Sequence, residues 1–349
     1  MPHTLLAVVT VALAGSAPLI AVVDGNRRAG PADHAWNLQN ARVVEAWHAC
    51  EARGIAPGAG VVIAHTDTGY VVSDEVPLAG ALGGGWTMRG AIDLVENDDD
   101  PWDPLLGGSP LALPGHSSHA ASVMVSPPSG AVTGVAPAAS VLPIRVSNTV
   151  ITLDPGSLAR GIDVAVDAGA HVVLITAGFV IGSAALHAAI ARALDHGVIV
   201  VAAAGNFVPL VVYPAAYPEV IAVAATGPND QPAAVSSFGP EVDLAAPGLD
   251  VWHTFPHRRW NGGTDVDDAL AGMGTTLASA HVAAAAALWL SYHGRDHLLA
   301  RFGARGLVER FRGALLTTAR HPPTWSTRTS ADFGIGILDA GALLLAPLE

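Results

Sequence analysis

From His281 to Leu290 the chain reads HVAAAAALWL, ten residues with almost no polar surface inside a segment predicted as a helix over 275–292 that stops at Gly294. A helix that is apolar on every side has to be surrounded by other structure. The rest of the chain supplies the surroundings. Short runs rich in Val and Ile at 60–64, 141–146, 171–175, 198–203 and 220–224 alternate with alanine-rich helical stretches at 157–168 and 183–196, the latter closed by Gly197. Continuously apolar strands alternating with helices are the pattern of a parallel sheet covered on both faces. The expectation is therefore α/β: one domain over residues 34–349, a mainly parallel sheet with helices on both faces. No internal repeat or composition break marks a second domain, and Gly/Pro clusters place loops at 78–85, 104–115, 127–130 and 320–330.

Composition removes several kinds of chemistry. All 17 basic residues are arginine, so a Schiff-base enzyme, a phosphate loop ending in Gly-Lys-Ser/Thr and a Ser-Lys hydrolase are excluded. The net charge of −13, with the arginines spread along the chain, leaves no basic stripe for nucleic acid. Cys50 is the single cysteine, which rules out an intramolecular disulfide and a cysteine zinc site; it reads as a small core residue. Residues 1–23 carry no Asp, Glu, Lys or Arg, yet a basic start is missing, so they form a signal-like stretch without the full signal pattern. Gly15 and Pro18 interrupt the run, and no membrane span is expected. A secreted or cell-envelope setting is favoured.

Three glycine-flanked polar clusters at the ends of predicted elements carry Asp67, His116 and a hydroxyl at Thr276, in that order, and a Gly-x-Ser-x-Gly elbow is absent. VVIAHTDTGY carries Asp67, PGHSSHAAS carries His116, VVAAAGN ends in Asn206, and GMGTTLASAHVA carries Thr276. Together with GVAPAASVLPIRV, YPAAYPEVIAVAA, SSFGPEVDLAAPG and GIGILDAGALL, these segments resemble the subtilisin-like peptidases (subtilases) from about Trp36 to Leu345. The chemistry asks for the same residue types. An imidazole takes a hydroxyl proton and returns it to a leaving amine, which is the role of His116. Asp67 orients that imidazole, and the Asn206 amide donates to a developing oxyanion. The start of a buried helix suits the nucleophile, because free N–H groups and the positive dipole end favour negative charge there. His119 and His281 read as structural histidines.

The resemblance implies peptide-bond hydrolysis of a peptide or protein substrate, with no cofactor required. It implies a substrate strand along Thr176, Ala177 and Gly178 and the segment after Arg145, and a side-chain pocket near Ala177, Gly178 and 203–206, including Gly205. It also implies a structural calcium at IDLVENDDDPWDP, where Asp93, Glu96, Asp98 and Asp100 are candidate ligands; the rival reading is a solvated acidic loop. Residues 1–33 look like the end of an inhibitory prodomain running into Trp36-Asn37-Leu38. The sequence departs from the family where it has Thr276 for the nucleophilic serine, Ser117-Ser118 after the histidine, Ala280 for a proline, and Thr176-Ala177-Gly178 for a Ser-Leu-Gly-like segment. Beside the endopeptidase stand two alternatives: a pseudopeptidase that binds peptides or partners, and an acyl-transfer ligase or cyclase.

Overall fold

The computed structural model describes residues 33–70, 92–103, 113, 115–128, 132–151, 154–257 and 266–348. The N-terminal segment, apart from Asp33, lies outside these residues, as do the expected loop at 78–85 and most of that at 104–115. In chain order the elements are α1 (Trp36–Asn40), α2 (Val43–Glu51), β1 (Val62–Asp67), β2 (Ile92–Asp93), α3 (His116–Val125), β3 (Ser140–Arg145), α4 (Pro155–Asp167) and β4 (Val172–Ile175). They continue as α5 (Ala184–Asp195), β5 (Ile199–Ala203), β6 (Ile221–Thr226), β7 (Leu244–Pro247), β8 (Leu249–His257) and β9 (Val266–Met273). The chain closes with α6 (Thr275–His293), α7 (Arg295–Thr318), α8 (Thr327–Phe333) and α9 (Ala340–Leu345).

Among the described residues, seven strands form one parallel sheet in the order β2-β3-β1-β4-β5-β6-β7. Strands β4 to β7 are buried along their whole length, which is why each reads as an unbroken apolar run. Side chains alternate across the sheet, and β1 shows what lies on either side. Thr66 faces α4, where a Cβ on Gly161 would stand 3.2 Å from the Thr66 methyl, whereas Asp67 points to His116 on α3. Both faces are therefore covered, as the sequence pattern predicted. An antiparallel ribbon of β8 and β9 packs against α3 beside the sheet.

Helix α6 is buried from Thr275 to Leu290, in contact with β4 to β7 on one side and with α3, α7 and α9 around it. Its run of five alanines, Ala283–Ala287, is fully inaccessible, and Trp289 fills the space near its end against Phe311 of α7. Alanine both favours the helix and lets the neighbouring backbones approach closely. Cys50 is buried as expected, and burial pushes its thiol up to about 11. Two features go beyond the sequence expectation. Strand β1 runs on past Ala64 through His65, Thr66 and Asp67, three polar residues with no exposure, because the site uses them. Helix α7, bent at Gly303, was not anticipated, since its arginines dilute the buried row Leu298, Leu307, Phe311 and Leu315.

The closeness of packing around α6 sets a test. Ala285→Leu forces about three extra heavy atoms into a site with no free surface, and a loss of roughly 1–3 kcal/mol is expected. Urea unfolding checks this: the midpoint falls while the denaturant slope stays that of the parent.

Candidate active site

Asp67 ends the central strand β1, between β3 on one side and β4 on the other, where consecutive connections depart in opposite directions. Such a switch point at the carboxyl ends of parallel strands leaves a crevice. Asp67 itself has no solvent exposure. One carboxylate oxygen accepts the Thr68 N–H at 2.7 Å. The other, Oδ2, accepts from His116 Nδ1 at 2.7 Å and from the Thr176 hydroxyl at 2.5 Å, with His65 Nε2 3.3 Å away. Burial alone would raise the Asp67 pKa, but the charge and hydrogen bonds of His116 and His65 outweigh it and hold the carboxyl well below its usual range.

His116 opens α3 and is nearly buried. With Nδ1–H donating to Asp67, the other ring nitrogen carries the lone pair, and it lies 3.0 Å from Thr276 Oγ1. Thr276 is the second residue of α6, entered through Gly274 at φ 144°, a backbone conformation that side chains disfavour. Asn206 follows β5. Its Oδ1 accepts the Thr275 N–H at 2.9 Å and the Thr275 hydroxyl at 3.2 Å, which fixes the amide orientation and leaves Nδ2 as the end available to donate. Asp67, His116, Thr276 and Asn206, spread over 209 positions of sequence from 67 to 276, thus meet in one row.

The expected substrate-binding residues sit beside this row. Thr176 turns its hydroxyl to Asp67, so only its backbone faces outward tasks. Gly178 N–H donates to Val150 O at 3.2 Å, so the two segments expected to flank a substrate meet at that point. Between residues 177–179 and 203–205 lies Val212, bonded through its N–H to Ala204 O at 2.9 Å, while Phe179 and Tyr213 exchange backbone hydrogen bonds of 3.0 and 2.8 Å. A Cβ on Gly178 would stand 2.8 Å from one Val212 methyl, and one on Gly205 would stand 3.0 Å from the other. The Val212 side chain therefore occupies the space between the two glycines. Sequence reasoning did not find it, because Val212 reads as one more apolar residue before Tyr213-Pro214.

The sequence also gave no sign of Asp103. Its carboxylate accepts the Gly115 N–H at 2.8 Å, fixing the residue before His116, and its backbone is tied to Tyr70. His119 packs against His253 with the rings tilted and their centroids 4.4 Å apart, and His281 bridges Leu277 O and the Asn37 amide, both structural placements.

The four carboxylates named as calcium ligands do not fit a cation cage. Asp93 is fully buried in an ion pair with Arg145 and accepts the Val95 and Glu96 N–H groups, while Asp98 is exposed and accepts the Asp100 N–H at 3.0 Å. Among the described residues no three His, Cys, Asp or Glu side chains converge as metal ligands would. In this arrangement the Arg145 guanidinium supplies the positive charge that Asp93 needs.

A parallel sheet with a carboxylate, an imidazole and a hydroxyl aligned at its carboxyl edge is the arrangement found in hydrolases of the acyl-transfer type. The subtilase family model matches residues 58–336, and the chain belongs to that family, the subtilisin-like serine peptidases, whose substrates are peptides and proteins. Thermitase of Thermoactinomyces vulgaris is 37% identical over 249 residues, 70% of this chain and 80% of thermitase. Subtilisin E of Bacillus subtilis is 34% identical over 212 residues, 59% of this chain and 51% of subtilisin E. A solved protease of Pseudoalteromonas arctica superposes with a TM-score of 0.69 at 25% identity, covering 87% of this chain and 93% of its own. No helix among the described residues is long and apolar enough to cross a membrane.

Burial pulls His253, His281, His171 and His293 down to about 4 and His119 well below its ordinary value. The unfolded chain binds these protons near pH 6.5 and the folded chain does not, so their contribution is complete above about pH 6.5 and is lost as pH falls toward 4. Stability is expected to decline over that interval. In His281→Gln the slope is shallower by up to roughly 1.4 kcal/mol per pH unit, read from urea unfolding between pH 4.5 and 7.

Proposed function

We propose that the protein is an endopeptidase in which Thr276 is the nucleophile, His116 the general base and acid, Asp67 the orienting carboxylate and Asn206 an oxyanion donor. The observation that carries this reading is the unbroken row from Asp67 through His116 to Thr276, with links of 2.7 and 3.0 Å. Each link has the direction that catalysis needs: the ionised Asp67 keeps the proton on Nδ1, so Nε2 is free to accept the Thr276 hydroxyl proton.

Attack of Oγ1 on the scissile carbonyl forms the tetrahedral intermediate as the proton passes to His116. The oxygen that becomes negative faces Asn206 Nδ2 and the start of α6, the positive end of the helix dipole. His116 then protonates the leaving amine, and the acyl-enzyme is hydrolysed by water activated at the same imidazole. The γ-methyl of threonine restricts χ1, so the rotamer that meets His116 has to be compatible with both the helix backbone and the incoming carbonyl. That constraint makes the native chain a slower catalyst than its serine counterpart. The peptide lies extended beside residues 176–178 and exchanges the single Gly178–Val150 hydrogen bond for its own backbone pairing.

A fluorophosphonate probe is expected to label Thr276, with labelling absent in Thr276→Ala. Thr276→Ser is expected to raise kcat/KM on a chromogenic peptide by about tenfold or more. If the native chain takes no label while Thr276→Ser both labels and cleaves, hydrolysis by Thr276 is excluded and the cleft belongs to a peptide-binding protein. Selectivity provides a separate check. With Val212 filling the space between Gly178 and Gly205, residues with small side chains are preferred immediately before the cleaved bond. Val212→Gly is expected to shift that preference toward Leu and Phe by about tenfold or more in a peptide-library profile.

A further inference from the structure

A second imidazole stands behind the triad. His65 lies two residues before Asp67 on β1, on the same face of the strand, and has no solvent exposure. Its Nε2 is 2.8 Å from Thr176 Oγ1, and its Nδ1 is hydrogen-bonded to the Tyr70 hydroxyl. The charged and titratable groups against it are Asp67 and Tyr70. Interior positions of a parallel strand are ordinarily apolar, and burying an imidazole there costs free energy unless its ring nitrogens are satisfied.

The direction of every hydrogen bond in this group follows from Asp67. An ionised carboxylate only accepts, so the Thr176 hydroxyl spends its one proton on Asp67 Oδ2 at 2.5 Å. Thr176 Oγ1 is then an acceptor toward His65, whose Nε2 carries the hydrogen. Nδ1 is then the acceptor for the Tyr70 O–H, and Tyr70 keeps its proton, since burial and then the nearby Asp67 charge push its pKa well above the ordinary value. Tyr70, His65 and Thr176 therefore form a one-way chain of donors ending on the same oxygen that receives His116 Nδ1–H.

We infer that His65 is a positioning residue for the triad: its Nε2–H holds the Thr176 hydroxyl with its proton on Asp67, and so fixes the carboxylate against which His116 is oriented. No proton moves along this chain. Each link sets the orientation of the next, and without His65 the Thr176 hydroxyl is free to rotate away from Asp67, leaving a buried carboxylate short of a donor. Two donors on Oδ2 also balance the pull on His116, so the imidazole stays aimed at Thr276. The inference rests on the hydrolytic reading of the site for its catalytic consequence, but its structural core concerns Asp67 and His116 alone.

The test compares His65→Leu, Thr176→Val, Thr176→Ser and the double variant His65→Leu/Thr176→Val, each in the native chain and in a Thr276→Ser chain. Two quantities are read: kcat and KM on a chromogenic peptide, and the far-downfield proton resonance of His116 Nδ1–H. In whichever chain turns over, His65→Leu is expected to lower kcat by about 10- to 100-fold with KM changed by less than about twofold. Thr176→Val is expected to do the same, and the double variant to be no worse than either single one, because both remove the same donor. The His116 resonance shifts in His65→Leu and Thr176→Val and is retained in Thr176→Ser. Unchanged kcat with an unmoved resonance in His65→Leu overturns the inference, and so do losses that multiply in the double variant. If His65→Leu does not fold, seen as loss of near-ultraviolet circular dichroism, the Thr176→Val and Thr176→Ser pair decides: a resonance that moves in Val and stays in Ser supports the relay, and the same resonance in both overturns it. Inactivity of the native chain tells against Thr276 as nucleophile while leaving the resonance test intact.

Discussion

A carboxylate with no access to water dominates the energetics of this molecule. Asp67 is stable as an anion only because donors reach it from three places in the chain: the next backbone N–H, His116 on α3 and Thr176 after β4, the last held in turn by His65 on the strand of Asp67 itself. Removing one donor from such a site is costly, since the group left behind is both charged and buried. Much of the architecture can be understood as the means of delivering these donors. The sheet order brings β4 directly against β1, and the loop at 101–103 ties Tyr70 and Gly115 together so that α3 begins at a defined place.

Helix α6 performs the complementary task from the other direction. It presents Thr276 at its first turn while the remaining turns disappear into the interior, so the hydroxyl cannot be moved without moving the core. Small side chains make this possible: alanine after alanine brings the helix close to β4 to β7. The same economy of volume recurs at the pocket, where Gly178 and Gly205 are bare and one branched side chain, Val212, takes up the space between them.

Much of this was legible in the sequence. The apolar run 281–290 and the alternating Val/Ile segments led to the layered parallel sheet, because burial on both faces removes polar residues from strands and leaves a pattern that periodicity detects. Asp67, His116, Asn206 and Thr276 were readable because each follows or opens an element and is flanked by glycines. What escaped was of two kinds. His65, Asp103 and Val212 act through contacts with residues far away in sequence, and nothing local distinguishes them from ordinary strand, loop or core residues. In the acidic loop the dense row of carboxylates suggested a cation, while the partner that Asp93 has in the fold, Arg145, stands 52 residues further on, where no local pattern points to it.

The spacing of the catalytic row along the chain also bears on how the molecule reaches its native state. His116 and Thr276 are separated by 160 residues, and the strands that align them pair in parallel, each across a long crossover. Contacts of this kind demand that large loops close before any stabilisation is returned, a topology that folds slowly. The hydroxyl reaches the imidazole only when α6 has docked against the assembled sheet. Competence of the site is therefore a late event in folding, and collapsed forms with native-like strands but an undocked α6 carry the individual residues without the relationship that gives them reactivity.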